Sequence, residues 1–178
     1  GSVPRDGATS TAAALAALAC QQGRNVLLVD CDLPTRGATH LVGVEPSAGV
    51  LEAASSPEIW MSLIEHEPES GLHVLPAAKL VSPWKRLFGS PGLNELLSQW
   101  RRRYDLVVLD CPPALMNADG ALMARLADLC VLVLSWDDTP SANVRQMMRR
   151  LRPGEPTNMS VHLNRAPSQV FSEMAELS

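Results

Sequence analysis

Short, continuous runs of apolar residues recur along the chain without the alternation of polar positions that a half-exposed strand shows. Such runs predict strands that are buried on both faces of a sheet. The segments between them carry helical patterns, so strands and helices alternate. The apolar runs are residues 26–29, 72–75, 106–109, 129–134 and 159–163, and the helical segments are 9–22, 93–103, 117–127 and 141–151.

This alternation predicts an α/β fold with a doubly wound, mostly parallel sheet flanked by helices. The chain has 178 residues, of which 46% are hydrophobic, which suits one domain over residues 1–178 with a sizeable core. Residues 46–91 are less regular and predict shorter helices and loops over one sheet edge.

Charge and cysteine usage exclude several classes of protein. The formal net charge of -4 argues against sequence-independent binding to the phosphates of nucleic acid. The apolar runs are far shorter than the roughly 20 residues that a membrane-spanning helix needs, and no leader pattern opens the chain. The four cysteines are single residues within apolar runs, which predicts reduced thiols and a cytoplasmic location.

The opening residues 2–10 run directly into an alanine-rich helical segment, as a phosphate-binding loop does. Such a loop needs a glycine, a free helix N-terminus, a lysine for the phosphates and a hydroxyl for magnesium. Gly7 and Thr9 fit two of these positions, but Ala8 stands where the lysine should be. A plain helix cap by Thr9 or Ser10 is the alternative. A strand should precede this loop, so we interpret the chain as a fragment of a longer protein.

Two of the predicted strands end in aspartates. Asp30 and Asp32 follow the first apolar run, and Asp110 ends the third. Ligands of open α/β sheets bind at the carboxyl ends of strands, so these carboxylates are expected at one crevice, where they could hold magnesium or orient a nucleophile. A loop-capping role remains the alternative for each. Cys31 and Cys111 directly follow strand-end aspartates, and their thiols approach each other if the strands are neighbours.

Together these segments resemble the bacterial tyrosine kinases and the related ATPase domains of exopolysaccharide chain-length and export proteins. That family belongs to the deviant-Walker group of P-loop ATPases. The resemblance implies a P-loop NTPase-like fold and covers about residues 2–166. It rests on residues 3–11, 29–34 and 104–113, and continues through 71–77, 117–121, 138–140 and 161–164.

The resemblance implies roles for individual residues. Gly7, Thr9 and Ser10 are expected to line the phosphates, and Asn164 to contact adenine, although Asn164 could equally cap a loop. Asp30 and Asp32 correspond to the Walker A' carboxylates. The implied catalytic set is Asp30, Asp32 and Asp110, the metal set Thr9, Asp30 and Asp110, and the cofactor-binding set Arg5, Gly7, Ala8, Thr9, Ser10 and Asn164.

The departures from the family pattern shape the functional hypothesis. Loss of the lysine at Ala8 should slow phosphoryl transfer by about 10² to 10³-fold or more, and Arg5 is the candidate substitute. Tyr104 is the only tyrosine, so the tyrosine-rich tail of these kinases is absent from this chain. We therefore expect a catalytically impaired regulator that binds ATP or ADP with Mg²⁺ weakly or not at all.

The expected partner is a membrane polysaccharide co-polymerase, chain-length determinant or export protein at the inner face of the plasma membrane, and a homo-oligomer is expected too. Two alternatives stay open. One is an active ATPase or protein-tyrosine kinase of the same family. The other is a positioning or partitioning adaptor that keeps the fold as a platform for protein interactions.

Overall fold

The computed structural model describes residues 6–79, 87, 90–113, 123, 126–136, 138–151 and 158–167. It divides into two compact units. One comprises Thr9–Pro112, and the other comprises Gly1–Ala8 and Pro113–Ser178. The predicted α/β fold with a mostly parallel sheet is confirmed. Most of the helix predicted at 117–127 lies outside the described residues, as does Arg5.

The unit Thr9–Pro112 contains a four-stranded sheet in the order β2-β3-β1-β4. The central strand β1 pairs in parallel with β3 and with β4, whereas β2 joins β3 in the antiparallel sense. Every residue of β1 is buried, as its continuous apolar run predicts. The register places Asp30 directly beside Asp110. The strands are β1 Val26–Asp30, β2 Glu65–His66, β3 His73–Leu75 and β4 Leu106–Asp110.

Helix α1, Ala8–Gln21, packs against the strands of this sheet. Small alanines on α1, Ala16 and Ala19, allow that helix to pack closely against Val26, Leu28 and Val74. Each fully buried Val or Leu contributes about 1.5 to 3 kcal/mol, so this cluster stabilises the sheet substantially. The helices are α1 Ala8–Gln21, α2 Gly37–Leu41, α3 Val50–Ser55 and α4 Pro91–Arg103, with a 3₁₀ segment at Pro57–Leu63.

Local sequence explains where α4 begins and which face it buries. The Ser90 hydroxyl accepts a hydrogen bond from the backbone of Leu93, and Pro91 occupies the first helical turn, where its missing N–H is not needed. Three arginines in the last turn suit the negative end of the helix dipole. The apolar positions that the helix buries are Leu93, Leu96, Leu97 and Trp100.

The second unit contains a two-stranded parallel sheet and a helix. Strand β5 is Cys130–Ser135, β6 is Met159–Asn164, and helix α5 is Ser141–Leu151. Leu132 and Leu134 of β5 pack with Met147 of α5.

The prediction that every apolar run is buried on both faces is wrong for β6 and only partly right for β4 and β5. The first four residues of β4 are half-buried, and Val131 of β5 is 40% exposed. Val161 and Leu163 of β6 are 49% and 37% exposed. Among the described residues, the apolar cluster under α5 includes only Met159 from β6, so the rest of that strand lies beyond the cover of the helix. None of the helices in the described ranges combines the length and apolar character that crossing a bilayer requires.

Candidate functional site

Asp30, at the end of β1, is fully buried and uses both of its oxygens within the fold. Its Oδ1 accepts a hydrogen bond from the backbone N–H of Asp32 at 3.1 Å. Its Oδ2 accepts from the backbone N–H of Thr39 at 2.8 Å and from the Thr39 hydroxyl at 2.7 Å. The same hydroxyl accepts from the N–H of Ala77 at 2.8 Å. Asp30 thus joins β1, the start of α2 and the segment after β3.

Asp32 and Asp110 differ from Asp30, because each is buried with one oxygen left over. The Thr35 hydroxyl donates to Oδ2 of Asp32 at 2.6 Å, and the Thr9 hydroxyl donates to the carboxyl of Asp110. Among the described residues, Oδ1 of Asp32 and Oδ2 of Asp110 have no hydrogen-bond partner. Buried carboxylate oxygens without a partner are costly, and a ligand would relieve that cost.

The electrostatics of the site favour an added positive charge. Burial, together with the negative charges of Asp30 and Asp32, raises the pKa of Asp110 to about 7, although the hydrogen bond from Thr9 acts in the opposite direction. Burial also raises the pKa of Asp30, against the three hydrogen bonds from Thr39 and Asp32. The carboxyl groups of Asp30 and Asp110 repel each other when both are ionised. A bound cation would therefore keep both of them in the charged form.

The loop after β1 encloses Thr9 closely. A Cβ atom placed on Gly37 would lie 2.8 Å from Oγ1 of Thr9 and 2.9 Å from its Cγ2, so this position requires glycine. The preceding Arg36 has a φ of 50°, and its N–H donates to the carbonyl of Asp32 at 2.7 Å. Its guanidinium pairs with Glu45 at 3.2 Å. The loop therefore fixes both Asp32 and the Thr9 hydroxyl.

In the other unit, the loop residues Asp6 and Gly7 are tied to the ends of β5 and β6. The Nδ2 of Asn164 donates to the carbonyl of Asp6 at 2.9 Å, and its Oδ1 accepts from the N–H of Arg165 at 3.0 Å. The Thr139 hydroxyl donates to the carboxyl of Asp6 at 3.1 Å. Gly7 has a φ of 90°, and a side chain there would collide with the Asn164 amide. Asn164 therefore makes the loop contacts of a capping residue, and its role toward adenine stays a prediction.

The remaining predicted residues lie at the start of α1. Ala8 is the first residue of the helix, and Ser10 is exposed two positions later. The methyl group of Ala8 carries no charge, so the helix N-terminus offers only backbone N–H groups and the hydroxyls that follow. Free N–H groups at a helix start attract phosphate. They bind it more weakly than a site that also has a lysine ammonium.

Sequence reasoning missed three residues that shape these surroundings: Asp6, Gly37 and Thr39. Gly37 lies in the short turn after Asp32. A glycine in such a turn is the one sequence signal that could have identified this residue. Asp6 and Thr39 carry no such signal, because polar residues are common in loops and at helix starts. Their roles follow from tertiary contacts, which only the structure reveals.

The residues of the Thr9–Pro112 unit fit a magnesium ion. Mg²⁺ prefers oxygen ligands, and it is usually held by one or two carboxylates while phosphates and water complete its shell. The unpartnered oxygens of Asp32 and Asp110 and the hydroxyl of Thr9 are groups of this kind. Within the described ranges, no three or more His, Cys, Asp or Glu residues form a site that could hold a metal by themselves. Because Mg²⁺ needs further oxygen ligands, the Asp32 and Asp110 pair suits a cation that arrives with a phosphate ligand.

A parallel sheet with acidic residues at its strand ends and a glycine loop before the first helix defines a P-loop type of α/β domain. Residues 6–153 match the family model described as AAA domain, and the chain belongs to that family. The resemblance to bacterial tyrosine kinases and exopolysaccharide export proteins is confirmed by individual relatives.

Two curated relatives and one solved structure illustrate this. The chain is 30% identical over 149 residues to the succinoglycan biosynthesis transport protein ExoP of Rhizobium meliloti (strain 1021), which covers 82% of this chain and 19% of that protein. It is 31% identical over 136 residues to the tyrosine-protein kinase YwqD of Bacillus subtilis (strain 168), covering 76% and 57%. The crystal structure of the VpsO kinase domain has 28% identity and a TM-score of 0.82, covering 93% of this chain and 82% of that one. The chain thus spans about a fifth of ExoP and little over half of YwqD.

Proposed function

We propose that this chain is a kinase-like nucleotide-binding domain that regulates exopolysaccharide synthesis or export, and that its phosphoryl-transfer activity is impaired. One observation carries the proposal. Ala8 occupies the first residue of α1, where the family's lysine would reach the phosphates, while the acidic groups for a cation are retained. The domain would then act as a nucleotide-sensitive switch more than as a catalyst.

The retained groups account for residual binding of ATP or ADP with Mg²⁺. Oδ1 of Asp32, Oδ2 of Asp110 and the Thr9 hydroxyl would hold the cation directly or through water. A bound Mg²⁺ neutralises charge on the phosphates. Asp30 would act indirectly, because its hydrogen bonds with Thr39 and Asp32 fix the loop that carries Asp32. Backbone N–H groups at the start of α1 would bind phosphate oxygens.

The lysine ammonium that is missing at residue 8 determines how far phosphate binding and transfer should be weakened. Removing one charge-stabilising group from a phosphate or oxyanion site costs about 3 to 4 kcal/mol, or roughly 10² to 10³-fold in rate. Arg5 lies three residues before Ala8 on the same loop and is the candidate substitute. A guanidinium differs from an ammonium in shape and hydration, so we expect partial replacement at most.

A second candidate is an active ATPase or protein-tyrosine kinase. The hydrogen bond between Thr9 and Asp110 and the two unpartnered carboxylate oxygens favour it, because they are the groups that a magnesium-dependent transfer needs. On that reading Arg5, or a lysine from another chain, replaces the missing charge.

The partner and place of action are proposed from the relatives. One of them is named a biosynthesis transport protein, so we propose a membrane polysaccharide co-polymerase or export protein as partner, with the domain at the inner face of the membrane. The domain would be one part of a longer protein and would act as a homo-oligomer. Its residues 1–178 would form a single nucleotide-binding domain.

The test is a titration of the chain with fluorescent ATP and ADP in the presence of Mg²⁺, combined with an assay of phosphate release. Ala8→Lys should tighten ATP binding at least tenfold, because it restores a charge worth more than about 1.4 kcal/mol at the phosphates. Ala14→Lys is the matched control, since it adds the same charge at an exposed position of the same helix and should change nothing. Tight binding and steady turnover by the unmodified chain would establish the active enzyme and refute impairment.

A further inference from the structure

Two cysteines stand side by side at the carboxyl ends of the neighbouring strands β1 and β4. Cys31 follows Asp30 and Cys111 follows Asp110, and these two aspartates are register partners. The N–H of Cys31 donates to the carbonyl of Asp110 at 2.8 Å, which continues the parallel ladder by one step. Cys31 and Cys111 are therefore the next pair of opposed residues.

The hydrogen-bond ladder ends just before this pair because a proline follows Cys111. In a parallel sheet the carbonyl of Cys31 would next accept a hydrogen bond from residue 112, but Pro112 has no N–H to donate. Each cysteine thus lies directly after the last paired residue of its strand. The two thiols are reduced and interact with each other, and the Cys111 thiol also donates to the carbonyl of Leu109 at 3.5 Å.

The spacing of two such residues suits a covalent bond. Adjacent strands lie about 4.8 Å apart, and disulfides join Cα atoms that are about 4.4 to 6.8 Å apart. Contact between the thiols shows that both side chains are directed to the same space. Closing a bond between them therefore needs side-chain rotation, with little movement of the strands.

The two thiols differ in their access to solvent. Cys31 is 1% exposed, whereas Cys111 is half-buried and can be reached by a small reagent. The other two cysteines, Cys20 and Cys130, are also half-buried, but they belong to α1 and β5 and follow no strand-end aspartate. They provide internal controls for accessibility alone.

We propose that Cys31 and Cys111 are a redox modification site that forms a reversible disulfide with a small disulfide such as oxidised glutathione. The Cys111 sulfur attacks the small disulfide, forms a mixed disulfide and releases one small thiol, which takes up the proton that Cys111 gives up. The Cys31 sulfur then displaces the second small thiol, which takes up the proton of Cys31. Two protein thiols are oxidised, and one small disulfide is reduced to two thiols.

This bond would cross-link the two strands that position Asp32 and Asp110. Its effect on nucleotide binding depends on the proposed function, whereas its formation does not. The test therefore measures the bond itself, so failure of this proposal and failure of the proposed function are separate results.

The reduced, folded chain is equilibrated with glutathione buffers of increasing oxidised fraction, alkylated, digested and mapped by mass spectrometry. We expect a cross-linked Cys31–Cys111 peptide pair, reversed by dithiothreitol, while Cys20 and Cys130 remain alkylated. The double variant Cys20→Ser with Cys130→Ser should keep the cross-link. Cys31→Ser should stop the reaction at a mixed disulfide of glutathione with Cys111.

A second sample, unfolded in urea, shows whether folding directs the reaction. There the cysteines should form mixed pairs without preference for Cys31 and Cys111. The proposal is refuted if the folded chain keeps both thiols reduced in excess oxidised glutathione, or if it links either of them to Cys20 or Cys130. Circular dichroism of each variant confirms that the fold is intact.

Discussion

The three strand-end carboxylates of the Thr9–Pro112 unit have different partners and therefore different roles. Asp30 is held by three hydrogen bonds, so both of its oxygens already have partners within the protein. Asp32 and Asp110 each keep one oxygen for which the described residues supply no partner. Within this set, Asp30 is best suited to position the loop and the other two are best suited to hold a cation.

The raised pKa of Asp110 predicts how stability depends on pH without magnesium. The folded carboxyl keeps its proton up to about pH 7, and the unfolded one only up to its usual pKa of 3.8. The free energy of unfolding should therefore fall as pH rises from about 4 to about 7, by up to about 4 kcal/mol. Asp110→Asn should stabilise the metal-free chain at pH 8 and have little effect at pH 4, as measured by urea unfolding.

Glu58→Gln is the control for this series, because it neutralises a carboxylate at an exposed position of the same unit. It should change stability by less than about 0.5 kcal/mol at either pH. If Asp110→Asn lowers stability at pH 8, the carboxylate is compensated in the folded chain and our account of its charge is wrong.

At the scale of elements, the short helix α2 is held to the sheet by the side chain of Thr39. Its hydroxyl donates to Asp30 of β1 and accepts from Ala77, just after β3. A helix of five residues has little stability of its own, so these tertiary contacts determine its position. One buried hydroxyl thus connects three elements around the acidic site.

Thr39→Val should destabilise the chain by on the order of 3 kcal/mol, because it leaves the Asp30 carboxylate and the Ala77 N–H short of a partner while preserving shape. Chemical unfolding monitored by tryptophan fluorescence measures this loss. Ser98→Ala also removes a hydroxyl that donates a hydrogen bond, but at an exposed position of α4, where it should cost less than about 1 kcal/mol. If the two variants lower the free energy of unfolding equally, the hydrogen bonds of Thr39 stabilise the fold no more than that of an exposed hydroxyl.

The elements that the sequence predicted well are those with long patterns of their own. The helices at 9–22 and 93–103 were predicted to within a residue or two, and so was the run at 26–29, because periodicity and buried strands are local signals. α2 has no such pattern and was not predicted. The exposure of β6 was also missed, since an apolar run does not reveal how far a covering helix extends.

At the scale of the whole molecule, the sequence indicated the fold and the composition of the acidic site, but not which of its oxygens are free. Motif order along the chain predicts that Asp30, Asp32 and Asp110 share one edge of the sheet, because parallel strands bring their ends together. The division between them depends on hydrogen bonds from Thr39, Thr35 and Thr9. Thr9 lies far from Asp110 in sequence, and no local pattern marks Thr35 or Thr39 as the donor to its aspartate.

The whole chain contains a single tyrosine, and its environment predicts that the folded protein is a poor phosphate acceptor. Tyr104 is 7% exposed, and its hydroxyl lies 2.9 Å from Nδ1 of His73. An active bacterial tyrosine kinase with ATP should therefore leave the native chain unmodified, as measured by phosphopeptide mass spectrometry.

Two controls make that experiment decisive. Leu41→Tyr places a tyrosine at a position that is 61% exposed, and this variant should be phosphorylated at residue 41. Unfolding the unmodified chain should make Tyr104 reactive. Phosphate on Tyr104 of the native chain would show that its burial is transient enough to be overcome.

The close contact between Gly37 and Thr9 separates two ways in which such a domain can lose activity. Exchange of the lysine for alanine removes a charge and leaves the surrounding atoms in place, so a single reverse change could restore it. A side chain at residue 37 would displace the Thr9 hydroxyl, and recovery would require several changes at once. On the proposed function, a chain with alanine at 8 and glycine at 37 keeps the Thr9 hydroxyl in place, so the single change Ala8→Lys should be enough to restore activity.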